Sequence, residues 1–174
     1  MSRPTVQPTD REVFFASDEV IVSKTDLKGI ITYANDVFLD IAGYTEAEVL
    51  GQPHNLIRHP EMPRCVFWLL WNEVQAGREI FAYVKNMTKA GDFYWVLAHV
   101  TPSRDAGGRI VGYHSNRRTP ERPAVDAVGR LYQDLLNTER RAASPKDGLA
   151  AGIAALNRHL EHAGIGYDEF VFSL

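Results

Sequence analysis

Five short runs rich in β-branched and aromatic residues, two before and three after a helix-forming block, constrain this chain more than any other feature. Val20-Ile21-Val22 and Ile30-Ile31-Thr32-Tyr33 flank a tight turn at residues 26–29, which predicts a hairpin. Residues 80–87 and 93–101 flank the turn Lys89-Ala90-Gly91-Asp92, and residues 109–117 follow a turn containing Asp105, Gly107 and Gly108. Between the two groups, Asn35 suits an N-cap, Phe38, Leu39 and Ala42 recur at helical spacing, and Gly43 suits the stop. Thr45 with Glu48 forms a capping box for a second short helix that ends at Gly51. Residues 66–74, with Phe67, Trp68, Leu70 and Trp71, predict a strongly apolar helix closed by Gly77. Two strands, a helical block and three strands argue an α+β domain with an antiparallel sheet, not alternating βαβ units.

Three segments follow. Residues 1–18 hold two prolines and only one apolar cluster, Val13-Phe14-Phe15, and read as a flexible lead able to pack on the domain or a partner. Residues 19–119 carry the sheet and its helices. Residues 120–174 form a C-terminal helical extension, with Val125, Val128, Leu131 and Leu135, then Leu149, Ile153, Leu156 and Leu160, at helical spacing and residues 144–148 as the separator. These helices are short for an autonomous unit and are expected to pack on the first domain or on a second copy.

Composition narrows the function. Nineteen Lys and Arg against 22 Asp and Glu leave a net charge of −3, too balanced for a nucleic-acid binder that works by neutralising phosphates. The single cysteine, Cys65, cannot form an intrachain disulfide; with no long apolar run and no signal-peptide core, a cytoplasmic protein without membrane insertion is expected. No phosphate loop, nucleophile elbow or helical zinc signature occurs, and no catalytic set can be assembled from spacing, so an enzyme is not expected. The pairs His159/His162 and His54/His59 lack a third ligand, which leaves no metal site. Cys65 reads as core filler.

Several stretches carry a specific resemblance. Ile31-Thr32-Tyr33-Ala34-Asn35-Asp36, Gly43-Tyr44-Thr45, Gly51-Gln52-Pro53-His54-Asn55, Arg58-His59-Pro60-Glu61-Met62-Pro63, Val84-Lys85-Asn86 and Tyr94-Trp95-Val96 together resemble the FAD-binding PAS domains of bacterial aerotaxis receptors. The likeness spans residues 18–118. It implies a PAS fold, a five-stranded antiparallel sheet with short helices on one face enclosing a ligand cavity. It further implies a non-covalently bound FAD whose redox state reports electron flow or oxygen. The matching positions are Asn35 at the start of the first helix, the Arg58–His59 pair, Trp71 on the long helix and Asn86 on the third strand. The resemblance departs where Ile80, with Phe81 beside it, stands in place of the family's third-strand tryptophan, leaving one aromatic flavin contact without a match. It departs again at Leu174, where the chain stops without the receptor's membrane anchor or signalling region. A signalling partner, from chemotaxis or another regulatory system, and a homodimer are therefore expected to carry the output by contact.

Residue chemistry alone leaves other readings at these positions. Asn35 suits a plain N-cap; Arg58 suits a phosphate but also an ion pair with Glu61; asparagine is depleted in strands, which makes Asn86 a candidate ligand contact. Trp68, Trp71 and Trp95 suit the core, with only Trp71 carrying a cofactor role. A cofactor-free interaction module and a haem-binding PAS gas sensor, with His99 or His114 as axial ligand, are the rival functions. A cysteine-adduct light sensor is disfavoured because Cys65 lacks the Asn-Cys-Arg-Phe setting.

Overall fold

The two strand groups meet in a single sheet. In the computed structural model, which describes residues 6–174, β1 (Ile21–Thr25) and β2 (Ile31–Ala34) form the first hairpin. β3 (Ile80–Met87), β4 (Phe93–Arg104) and β5 (Ile110–Arg118) form a meander. The order is β2-β1-β5-β4-β3 with every neighbour antiparallel. Because β2 and β3 lie at opposite edges, the chain between them must cross one face of the sheet. That crossing holds α1 (Asp36–Ala42), α2 (Glu46–Val49), a 3-10 turn at His54–Ile57 and α3 (Arg64–Gln75).

The local signals act as their chemistry requires. The Asn35 side chain accepts from Phe38 N at 3.1 Å, and Gly43 closes α1 at φ 74°, the left-handed conformation glycine adopts without strain. Glu48 Oε2 accepts from Thr45 N at 3.0 Å, the reciprocal half of the capping box. The strand alternation sends Ala82, Val84, Val96 and Ala98 under the helices, where they join Phe38, Ile57, Val66 and Val74 in the core.

The other face is covered by the extension, α4 (Arg122–Arg140), α5 (Pro145–Ala163) and α6 (Tyr167–Ser173). Tyr132 Oη donates to Tyr83 O at 2.7 Å, its ring lies 6.1 Å from that of Trp95, and Phe172 meets Phe81 edge-on at 4.8 Å. The end of α4 passes to the helical layer: Glu139 accepts from Arg64 N at 3.0 Å and Cys65 N at 2.8 Å, so a carboxylate from the extension caps α3. α5 reaches this junction because two positions lack side chains. A Cβ at Gly152 would stand 2.7 Å from Glu139 Oε1, and one at Gly148 would stand 2.5 Å from Glu139 O.

One expectation needs correction. Residues 144–148 do not separate the helices; Ser144 caps α5 by accepting from Asp147 N at 3.1 Å, with Pro145 in the first turn, where its missing N–H costs nothing. A third helix, α6, follows Gly164 and lies on β3. The described part of the lead, residues 6–18, is docked. Val13 N donates to Phe93 O at 2.8 Å and Phe93 N to Arg11 O at 3.0 Å, filling the β4 edge beyond the end of β5. Asp92 receives Thr9 Oγ1 at 2.6 Å and the Arg11 guanidinium, and Phe14 remains exposed. Residues 1–5 of the expected lead lie outside the described residues. Among the described residues no helix is long and apolar enough to cross a membrane.

Candidate functional site

A cavity of about 370 Å³ lies between the inner sheet face and α3, within the size range of small-molecule sites. Its walls are apolar: Val84, Ala98 and Val100 from the sheet face Phe67, Leu70 and Val74 from α3. Trp71 forms one end. Its ring meets Tyr113 edge-on at 5.3 Å, and it fits under the β1–β2 turn because Gly29 has no side chain; a Cβ there would lie 3.0 Å from the indole. Gly29 also sits at φ 78°, so this position needs glycine for both reasons.

The floor is charged. Arg117, at 3% exposure, projects from β5 with Ser115 and Tyr113 because residues two apart share a face. Its Nη2 donates to Ser23 Oγ and to His54 Nε2 at 2.7 Å, while Nη1 has no hydrogen-bond partner among the described residues. Among the described residues no carboxylate pairs with it. Burial pulls this guanidinium down to about 10, and His54 is driven down to about 3 by burial first and by Arg117 second. His54 is therefore neutral, with Nε2 as the acceptor facing Arg117 and Ser23 Oγ, 2.9 Å away. Thr25 Oγ1, also on the cavity lining, is a second buried polar atom without a partner among the described residues. An apolar chamber with an unsatisfied guanidinium donor at its Arg117 end suits a flat, largely apolar ring with a polar, electron-rich edge, and a flavin meets that description.

Of the five sequence-assigned positions, three converge here. Asn86 lines the cavity from β3, Trp71 forms its end wall, and half-buried Arg58 also lines it, its guanidinium 4.2 Å over the Phe67 ring. Arg58 makes no ion pair with Glu61; that carboxylate bonds Lys85 instead. Asn35 does not line the cavity. Its Oδ1 accepts from Val22 N at 2.9 Å and Phe38 N, and its Nδ2 donates to Val20 O at 2.8 Å, so its polar atoms tie β1 to α1. His59 is also elsewhere. Buried at the β3 edge, it accepts from Glu61 N at 3.1 Å through Nδ1, and burial followed by Lys85 lowers it to about 4. It shapes the loop whose Arg58 pairs with Asn86 of β3.

The haem ligands face away. His99 and His114 alternate with the cavity residues Ala98, Val100, Tyr113 and Ser115, so both turn to the outer face, where His99 stacks on Phe81 at 4.1 Å. Among the described residues no cluster of three or more His, Cys, Asp or Glu could hold a metal. Cys65 is buried beside Glu139, and burial raises its thiol to about 12, as befits an inert core residue. Trp68 is not core: it lies at the cavity opening, 42% exposed. Sequence reading missed Arg117 and Ser23 and gave His54 no cofactor role, although it stands in the Gly51–Asn55 stretch that carries the resemblance. The signal available was an arginine in register with Tyr113 and Ser115 on a strand that reads as central.

A family profile described as the PAS fold matches residues 31–117. The chain is 41% identical over 127 residues to the aerotaxis receptor of Escherichia coli K12, covering 73% of this chain and 25% of the receptor. It is 31% identical over 140 residues to the biofilm dispersion protein BdlA of Pseudomonas aeruginosa, covering 78% of this chain and 30% of that protein. It thus spans under a third of these curated relatives. Among solved structures, the dark state of the blue-light photoreceptor Aureochrome1 LOV domain superposes with a TM-score of 0.56 at 25% identity, over 64% of this chain and 83% of that one. A five-stranded antiparallel sheet in the order β2-β1-β5-β4-β3, a cavity between that sheet and its crossing helices, and these relatives place the chain in the PAS-fold family.

Proposed function

We propose that this chain is a sensor module that holds FAD non-covalently in the cavity and reports its redox state by protein–protein contact. The observation that carries this reading is Arg117: a buried guanidinium with an unpartnered Nη1 and no counter-carboxylate, costly to leave unsatisfied and stabilised by an electron-rich ring edge. Bound flavin supplies reversible electron uptake that changes the charge and protonation of its ring.

The chain's own residues convert that change into geometry. Arg117 is shared between Ser23 Oγ and His54 Nε2; stronger attraction toward the cavity loosens those bonds on β1 and on the loop before α3. Asn86 offers amide groups from β3, the strand whose Tyr83 carbonyl holds α4 through Tyr132. α3 supplies the opposite wall and is capped by Glu139 of α4. Both cavity walls therefore contact the extension, which we assign, together with the docked lead, as the output surface toward a signalling partner or a second subunit. The same reading makes the chain a cytoplasmic signalling module and not an enzyme.

The decisive experiment is the absorption spectrum of the purified chain, with the chromophore identified after denaturation. Flavin bands and released FAD are expected, and Arg117→Met is expected to weaken flavin retention at least tenfold while the fold persists by circular dichroism. A colourless protein that takes up neither FAD, FMN nor riboflavin refutes the proposal and leaves a cofactor-free docking module.

A further inference from the structure

We propose that Trp68 is the stacking platform for the adenine ring of a dinucleotide, so that the opening of the cavity, and not its floor, selects FAD over flavins without adenine. This rests on reading the cavity as a flavin site. Trp68 and Trp71 are three apart on α3 and share its cavity-facing side. Their environments differ. Trp71 is half-buried against Tyr113 and Gly29, whereas Trp68, one turn earlier, is 42% exposed, and among the described residues no ring packs on it and nothing accepts from its indole N–H. An indole left bare at a cavity mouth is a large apolar surface lacking a neighbour.

The surroundings state which neighbour fits. A cavity of about 370 Å³ accommodates one ring system, so the remainder of a dinucleotide must lie outside it, at the opening. Two cations line the cavity: exposed Lys28 from the β1–β2 turn and half-buried Arg58 from the loop before α3. Neither makes an ion pair among the described residues. Arg58 spends its contacts on the Phe67 face, 4.2 Å away, and on Met62 O at 3.4 Å. A diphosphate crossing the rim meets both charges, and a purine beyond it meets the indole face. Stacking on an aromatic side chain tolerates any base, so adenine needs no hydrogen-bonding site of its own here.

The test is titration of the apo full chain with FAD, FMN and riboflavin, followed by flavin and tryptophan fluorescence. The wild-type chain should bind FAD tightest. Trp68→Ala should weaken FAD about five- to 150-fold, the range for losing one base–aromatic stack, while changing riboflavin less than twofold; Trp68→Phe should recover most of the loss. Equal weakening of FAD and riboflavin makes Trp68 a cavity wall and overturns the inference. No change with either ligand also overturns it. A wild-type chain that binds all three flavins equally sinks the adenine platform and leaves the flavin site standing, whereas one that binds none removes both.

Discussion

Replacing Glu139 tests whether the C-terminal extension holds the cavity together. The carboxylate is buried at the first turn of α3, accepting from Arg64 N at 3.0 Å and Cys65 N at 2.8 Å, with Arg64 Nε 3.6 Å from Oε2. Glu139→Ala leaves two helix-terminal N–H groups without an acceptor, at about 1–3 kcal/mol for each that stays dry. Loss of a helix cap by itself costs about 0.5–2 kcal/mol. Removing the carboxylate also relieves its own desolvation and its tight approach to Gly152, which offsets part of the loss. The net expectation is a destabilisation of about 3 kcal/mol, or a fall in Tm of roughly 6–12 °C for a chain of this size. Glu139→Gln preserves the shape but turns one acceptor into a donor aimed at an N–H, and should cost about 1–2 kcal/mol. Thermal and urea unfolding followed by circular dichroism measure both, and hydrogen exchange at Arg64 and Cys65 should accelerate. An alanine variant that melts within 2 °C of wild type, with unchanged exchange at those amides, would show that α4 merely rests on the domain and would remove the proposed link from α3 to the extension.

Two more outcomes follow from the site. Asn35→Ala should destabilise the fold by about 2–3 kcal/mol, because the cap of α1 and two hydrogen bonds to Val20 and Val22 are lost. Flavin affinity of the folded variant should stay within twofold; a larger loss at unchanged stability would return Asn35 to the cofactor. For pH, His54 and His59 are held neutral, lowered from 6.5 to about 3 and about 4, so the unfolded chain binds more protons once the pH drops below 6.5. Their contribution is intact above that value and is lost on acidification toward 4 and then 3, with a slope of about 2.5 kcal/mol per pH unit near pH 5. Urea unfolding between pH 5 and 7 reads the slope, and His54→Gln should roughly halve it. A flat profile would mean the imidazoles are hydrated, contrary to the burial described.

The strand and turn chemistry was legible in the linear chain because it is local. Thr45 and Glu48 reach each other within one helical turn, Gly43 needs only its own backbone to close α1, and 80–87 reads directly as β3. The third C-terminal helix was not seen because Tyr167, Phe170 and Val171 make too short a period to stand out. Ser144 reads as a linker although it is a cap, since serine and proline serve both roles and only the register of the following helix separates them.

The site divides along the same line. The order of strands, turns and helices is enough to indicate an α+β sheet, and the family motifs are enough to indicate the PAS fold and the candidates Arg58, Trp71 and Asn86, because both are carried by residues in sequence order. The sequence could not say that Asn35 spends its amide on backbone, that His59 turns into the β3 edge, or that Arg117 meets His54 across 63 positions of chain. Those outcomes depend on which side chains arrive at the same point once β1 pairs with β5 and the helical block crosses the sheet. Nor could composition show that Glu139 caps a helix 74 residues earlier in the chain. Burial and partner choice are properties of the packed whole: a polar side chain has many satisfactory partners in water, and only close packing removes all but one.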